Sequence, residues 1–342
     1  MPNTENLPDT ENLPDTENLP DTENLRNTEK IHSTGNRRPP AAAPLAYHRL
    51  AHREPETAHW WRPLATVAAT VLVYVGLLVL VGGVAVTAAL LAGPDWLRLS
   101  ESGIPDPRNA ADLAVVFGPL ALLAPAVVLG VRWGGGRAGT VHSVTGRFRW
   151  GLAARAAAVL VPLYAVGTAA VLLVFGPPDL TAPVLTTPLV TAIVVALVLV
   201  PAACAGEEYA LRALPQQALG TWLRAPFWAI MLPLPLVVSG HLTDWSAAVD
   251  VAVCAVALGF LVWKTGGVEL AVVAHTATSL AAVGAGMFVP AVLGGGTLDP
   301  LSLVASVPAT VVATLGLTWW VSRTHGLRFL EPVRGDVPCP TS

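Results

Sequence analysis

Residues 187–219 read TPLVTAIVVALVLVPAACAGEEYALRALPQQAL. Positions 187–206 carry no charge, and about 20 apolar residues is the length that crosses the hydrocarbon core of a bilayer. The run then meets Glu207, Glu208 and Arg212. A charge at mid-bilayer costs roughly 2.5–3.5 kcal/mol on insertion scales, so this group requires partners or a polar cavity. On a helix Glu208 and Arg212 are four apart and share a face, with the acid N-terminal to the base, the favourable order. They read as a structural ion pair. Glu207 is turned about 100° from Glu208, and its i−4 and i+4 neighbours are Ala203 and Leu211. It is the carboxylate left over, free to act on something in a cavity.

The rest of the chain is the same kind of material. It is 53% hydrophobic and 13% charged, far from a soluble average. The fold class expected is all-α, a polytopic membrane bundle of about eight transmembrane helices, near 64–92, 111–131, 152–175, 187–219, 226–243, 246–263, 267–291 and 303–321. The net charge of -3 says little, because the charges are unevenly distributed, and no nucleic-acid partner is expected. The three cysteines form no CxxC pair and leave the redox compartment open.

Basic residues alternate between connections. Arg37, Arg38, Arg49, Arg53 and Arg62 precede the first span; Arg132, Arg137, Arg147 and Arg149 follow the second; Arg224, Lys264 and the group Arg323, Arg328 and Arg334 continue the series. The opposite loops have Arg98 and Arg108 alone. Positive charge marks the cytoplasmic side, so a cell-membrane protein with both termini cytoplasmic is expected. Trp60, Trp61, Trp133, Trp150, Trp319 and Trp320 fall at helix ends, as an interfacial aromatic belt does. Residues 4–25 repeat the hexad Thr-Glu-Asn-Leu-Pro-Asp with little change. Such a segment buries too little apolar surface to offset its conformational entropy, so residues 1–58 read as a disordered cytoplasmic tail. Residues 59–180 then hold N-terminal membrane helices, 185–290 the core, 291–325 the last span and 326–342 a second cytoplasmic tail.

Of eight histidines, only His241 and His275 fall in the expected spans. At 1.5 Å per residue, Glu207, His241 and His275 lie about 18, 22 and 12 Å from the cytoplasmic end, differences that helix tilt absorbs. The three groups can therefore face one cavity. For an isolated Glu-Glu pair a purely structural role, bridging neighbouring helices, competes with this reading; the two histidines shift the balance.

The ordered set Glu207-Glu208-x-x-x-Arg212, then Val237-x-x-x-His241, then His275-x-x-x-Ser279, with Lys264-Thr265-Gly266 before the last motif, resembles the CPBP family of intramembrane glutamic endopeptidases, which includes CAAX prenyl endopeptidases and bacteriocin-processing (Abi-type) enzymes. The resemblance covers roughly 185–290. The family pattern has Phe where Val237 stands and Asn where Ser279 stands. What it implies is a water held between Glu207 and His241, Glu207 as general base, and His275 with Ser279 as oxyanion donors. The implied reaction is hydrolysis of a peptide bond in a membrane-associated peptide or protein, lipidated or leader-type, by a peptidase that needs no cofactor. The alternative is a catalytically weak or inactive membrane scaffold or immunity protein that keeps the fold, which the Val237 and Ser279 departures motivate.

Zinc is the competing mechanism, since two His and a Glu are a ligand set. There is no His-Glu-x-x-His helix, so no metal is expected. Membrane lipids are the other expected partners. Glu269 and Asp112 start helices, where a carboxylate complements the dipole. Arg155 can snorkel to headgroups, Asp250 is peripheral, and Pro119, Pro125, Pro162, Pro233 and Pro235 suggest kinks.

Overall fold

The computed structural model describes residues 44–53, 59–93, 98–101, 105–176, 180, 182–242, 244–289 and 303–335. The hexad repeat and the end of the second tail lie outside the described residues. A two-residue strand β1 (Leu45–Ala46) and a 3-10 helix at Tyr47–Arg53 come first. Then follow α1 (Arg62–Ala92), α2 (Ala110–Ala121), α3 (Leu123–Trp133), α4 (Ala138–His142) and α5 (Trp150–Phe175). Next are α6 (Thr187–Glu208), a π turn at Tyr209–Ala213, α7 (Leu214–Trp222), α8 (Pro226–Met231) and α9 (Leu234–Val238). A 3-10 turn at Ser239–His241 leads to α10 (Trp245–Thr265), α11 (Glu269–Phe288), α12 (Leu303–His325) and β2 (Arg334–Gly335).

The molecule is a polytopic helical bundle. Among the described residues, seven helices are long and apolar enough to cross a membrane, taking α2 with α3 and α6 with α7 as single rods. Their outward faces expose large apolar side chains, including Leu72, Val79, Leu173 and Val312. So much exposed apolar surface suits lipid and not water. The protein is a multi-pass membrane protein.

The fifth expected span is the correction. Residues 226–241 form α8, α9 and a 3-10 turn, not one long helix. Pro233 and Pro235 lack the N–H that a helix interior needs, and their rings crowd the carbonyls four residues back. The segment still carries the chain along the bundle. Its start lies beside His48, which bonds the Arg224 carbonyl at 3.1 Å. The helix that follows it, α10, returns to the same end, where the Val333 N–H bonds the Lys264 carbonyl at 2.9 Å.

That end also gathers residues 44–53, which composition alone assigns to the tail. Leu45 and Ala46 pair antiparallel with Gly335 and Arg334. Tyr47 is buried and donates to the Val141 carbonyl at 2.5 Å; burial pushes its phenol well above the ordinary value. Arg49 bonds the Gly220 carbonyl at 2.7 Å and His52 the Thr221 carbonyl at 3.0 Å. These are the unpaired carbonyls at the C-terminus of α7, where basic side chains also complement the helix dipole.

The centre is built by α6 and α11. The two pack on each other; α6 also packs on α2 and α11 on α5 and α10. In the most apolar stretch of α11, 56% is buried, against 6% in α5, so α11 is the inner rod and α5 a lipid-facing one. At Gly206 a Cβ would come within 1.9 Å of the Leu120 carbonyl oxygen. Only glycine lets α6 approach α2 this closely, directly beside Glu207.

Candidate functional site

Two rods supply the polar cluster. Glu207 and Glu208 end α6, and the π turn carries Arg212. The turn has a local cause. Pro215 cannot donate to the Leu211 carbonyl and its ring crowds it, so the helix widens and the Leu214 N–H bonds Tyr209, five residues back. Wide turns of this kind frequently occur at functional sites.

Glu208 is fully buried. Its Oε1 lies 3.2 Å from Arg212 Nη1 and 2.9 Å from His275 Nδ1 on α11. The ion pair expected from spacing is therefore present, with a third member. His275 presents its other nitrogen, Nε2, to Glu207 Oε2 at 3.7 Å. The Glu207 side chain is 29% exposed and that of His275 19%, against 7% for Arg212. The pair that can meet a substrate is thus Glu207 with His275, and the pair beneath is Glu208 with Arg212. With His275 protonated, two carboxylates face two cations and the cluster is neutral, which limits the cost of placing it in a low dielectric.

Glu207, Glu208, Arg212 and His275 are brought together. His241 is not. It stands exposed at the end of the broken segment, and its side chain makes no hydrogen bond or ion pair with a described residue. Ser279, one turn beyond His275, lies beside the Cys204 thiol, as does Thr276. Cys204 sits four residues before Glu208 and shares its helix face. Spacing alone would have found it; its apolar surroundings hid it. Val237 lines a small cleft with Arg212, Gln216 and Gly259.

The Lys264-Thr265-Gly266 run is a scaffold. Gly266 adopts φ +67° and ends α10, a left-handed cap that favours glycine. Buried Lys264 donates to the carbonyls of Arg328, at 3.0 Å, and Glu331. Glu269 does more than complement a dipole. It is fully buried in the fork of Arg149, at 2.9 Å to Nε and 2.7 Å to Nη2, and also accepts from the Arg149 N–H. That clamp holds the N-terminus of α11 against the start of α5. Asp112 accepts from the Ser100 and Asp106 N–H groups and ties the preceding loop to α2.

Among the described residues no three His, Cys, Asp or Glu side chains are arranged to hold a metal ion. A cation at Glu208 would also face the Arg212 guanidinium.

The family model described as type II CAAX prenyl endopeptidase Rce1-like matches residues 188–281, just over a quarter of the chain. The match opens at the start of α6 and closes six residues after His275, so it contains every member of the cluster. It agrees with the resemblance to intramembrane endopeptidases of the CPBP type. No curated protein and no solved structure matches significantly.

Proposed function

We propose, from the premise that residues 188–281 form an Rce1-like domain of the CAAX-endopeptidase type, that this chain hydrolyses a peptide bond in a membrane-associated peptide or protein. The domain supports a CAAX-type intramembrane endopeptidase in general. The finer reading rests on one observation: His275 bridges the two glutamates, with Nδ1 on Glu208 and Nε2 toward Glu207.

In this reading Glu207, the more exposed carboxylate, takes a proton from a water as its oxygen attacks the scissile carbonyl carbon. Protonated His275, held by Glu208, points its Nε2–H at the developing oxyanion. The C–N bond breaks when the tetrahedral intermediate collapses, and the leaving amine takes the proton back from Glu207. No step requires a metal. Lipidated C-terminal peptides and leader peptides both suit a site opening within a bilayer, and the basic connections favour a cytoplasmic location for the end that gathers residues 45–53 and 334–335. His241 joins this machinery only if the segment at 226–241 moves toward Glu207.

The test is turnover of lipidated or hydrophobic peptides by the purified protein, compared with Glu207→Ala. Turnover that survives this change ends the assignment.

A second reading, a non-catalytic scaffold or immunity protein, is favoured by the shorter Ser279, beside the Cys204 thiol, standing where the family pattern has an amide donor. Ser279→Asn separates the two. A gain in hydrolysis supports an attenuated enzyme, and an inactive parent that stays inactive supports the scaffold.

A further inference from the structure

At the end of the bundle where α1 begins, a cleft opens between the 3-10 helix, α1, α3 and α7. Arg53, Arg62 and Arg137 line it, with Thr66, Gln217 and Ala218 among their neighbours, and among the described residues no aspartate or glutamate does. Two of these arginines have donors to spare. Arg53 Nη2 bonds the Gly335 carbonyl at 3.0 Å, but buried Nη1 has no partner among the described residues. Arg62 Nη1 bonds the Gly135 carbonyl at 3.1 Å, while its buried Nε has no partner among the described residues. A buried donor left unpaired costs more when it carries charge, and two guanidinium groups in a cleft to which no described residue brings a carboxylate favour an anion between them.

The depth of the cleft identifies the class of anion. Trp60, Trp61 and Trp133, within two positions in sequence of the lining residues Arg62 and Gly134, are exposed, and Trp61 lies under the Arg62 guanidinium at 5.6 Å. Exposed tryptophans at helix ends mark the headgroup level of a bilayer. Basic pockets at that level bind phosphate-bearing headgroups, and the planar donor fork of arginine matches phosphate oxygens.

We propose that this cleft is a phosphate site that holds the headgroup of an anionic phospholipid, with Arg53 and Arg62 as its principal donors. It is separate from the glutamate–histidine cluster, and its fate does not depend on whether the protein is a protease.

The experiment follows the thermal midpoint of the full-length protein in a neutral detergent. Phosphatidylglycerol, phosphatidylcholine or inorganic phosphate is titrated in. The expected result is a saturable rise with phosphatidylglycerol, little with phosphatidylcholine, and a midpoint concentration about tenfold higher or more in the Arg53→Gln/Arg62→Gln variant. If inorganic phosphate saturates the effect as fully as the lipid, the phosphate site stands and the lipid source is overturned. Should the arginine variant not fold, Ala218→Asp places a carboxylate in the same cleft. That variant is expected to be more stable without lipid and to lose the response. Equal responses to phosphatidylglycerol in the wild type and these variants would overturn the proposal.

Discussion

His275 Nδ1 lies 2.9 Å from Glu208 Oε1, and that same oxygen lies 3.2 Å from Arg212 Nη1. One buried carboxylate oxygen therefore fixes both a histidine on the neighbouring rod and an arginine four residues along its own. This makes Glu208 a positioning residue: it sets the orientation of the ring whose far nitrogen faces Glu207.

Removing one member of the buried pair should be costly. Glu208→Leu leaves the Arg212 guanidinium without its counter-ion, and a broken buried pair costs about 3–5 kcal/mol. The expected outcome is a large fall in thermal midpoint for Glu208→Leu or Arg212→Met, with the double variant recovering much of it. Strictly additive losses in the double variant would mean that the two side chains do not act as a pair.

Glu207 tests chemistry apart from stability. Because it is partly exposed and its neighbour Glu208 carries the ion pair, Glu207→Gln should leave the thermal midpoint nearly unchanged. Turnover should drop by about 10²–10⁴, the range for loss of a general base. His275→Ala should lower both quantities. His241→Ala should lower turnover less than either, since no described side chain holds His241 in the cluster. Equal losses at all three positions would show that the segment around Pro233 and Pro235 closes on Glu207 during turnover.

Gly206 gives a steric prediction. An added methyl would come within 1.9 Å of the Leu120 carbonyl oxygen, and backbone does not yield cheaply. Gly206→Ala should destabilise the protein by about 1–3 kcal/mol, the usual cost of overpacking. It should also reduce turnover, because α6 must shift next to the glutamates. Wild-type stability in Gly206→Ala would mean that α2 and α6 lie further apart than described.

The loop between α3 and α5 supplies a pH dependence. Burial holds the His142 imidazole below its ordinary value of 6.5, an effect that Glu269 partly offsets; its Nδ1 meets the Tyr209 hydroxyl. The folded state prefers the neutral ring, so the stabilisation is complete above pH 6.5. It is lost as pH falls through the lower folded-state value, because the unfolded chain takes up its proton first. His48, also lowered by burial, acts in the same direction. The thermal midpoint should fall between pH 7.5 and 5.5, and less steeply in His142→Gln. An unchanged slope in that variant would remove His142 as a source.

Much of the architecture was legible in composition. Long uncharged runs in α1, α5 and α6 specify spanning helices wherever a bilayer is the solvent, because a helix satisfies its own backbone polar groups there. The pairing of Glu208 with Arg212 was legible for the same local reason: a four-residue spacing on one helix fixes who meets whom. The broken segment at 226–241 was less so. Its apolar content fits a span, and only the combined effect of Pro233 and Pro235 on hydrogen bonding divides it.

Contacts between distant elements were settled by packing alone. Periodicity within α11 does not say that His275 turns its two nitrogens to two different glutamates on α6, nor that Ser279 lies beside Cys204. Composition placed residues 44–53 in a tail, yet they close one end of the bundle through Tyr47, Arg49 and His52, whose partners lie 94 to 171 positions away. Sequence by itself determined which residues must leave water and which charges need company. The tertiary structure decided the company, because two helices meet wherever small residues such as Gly206 permit the approach, and no local rule encodes that distance.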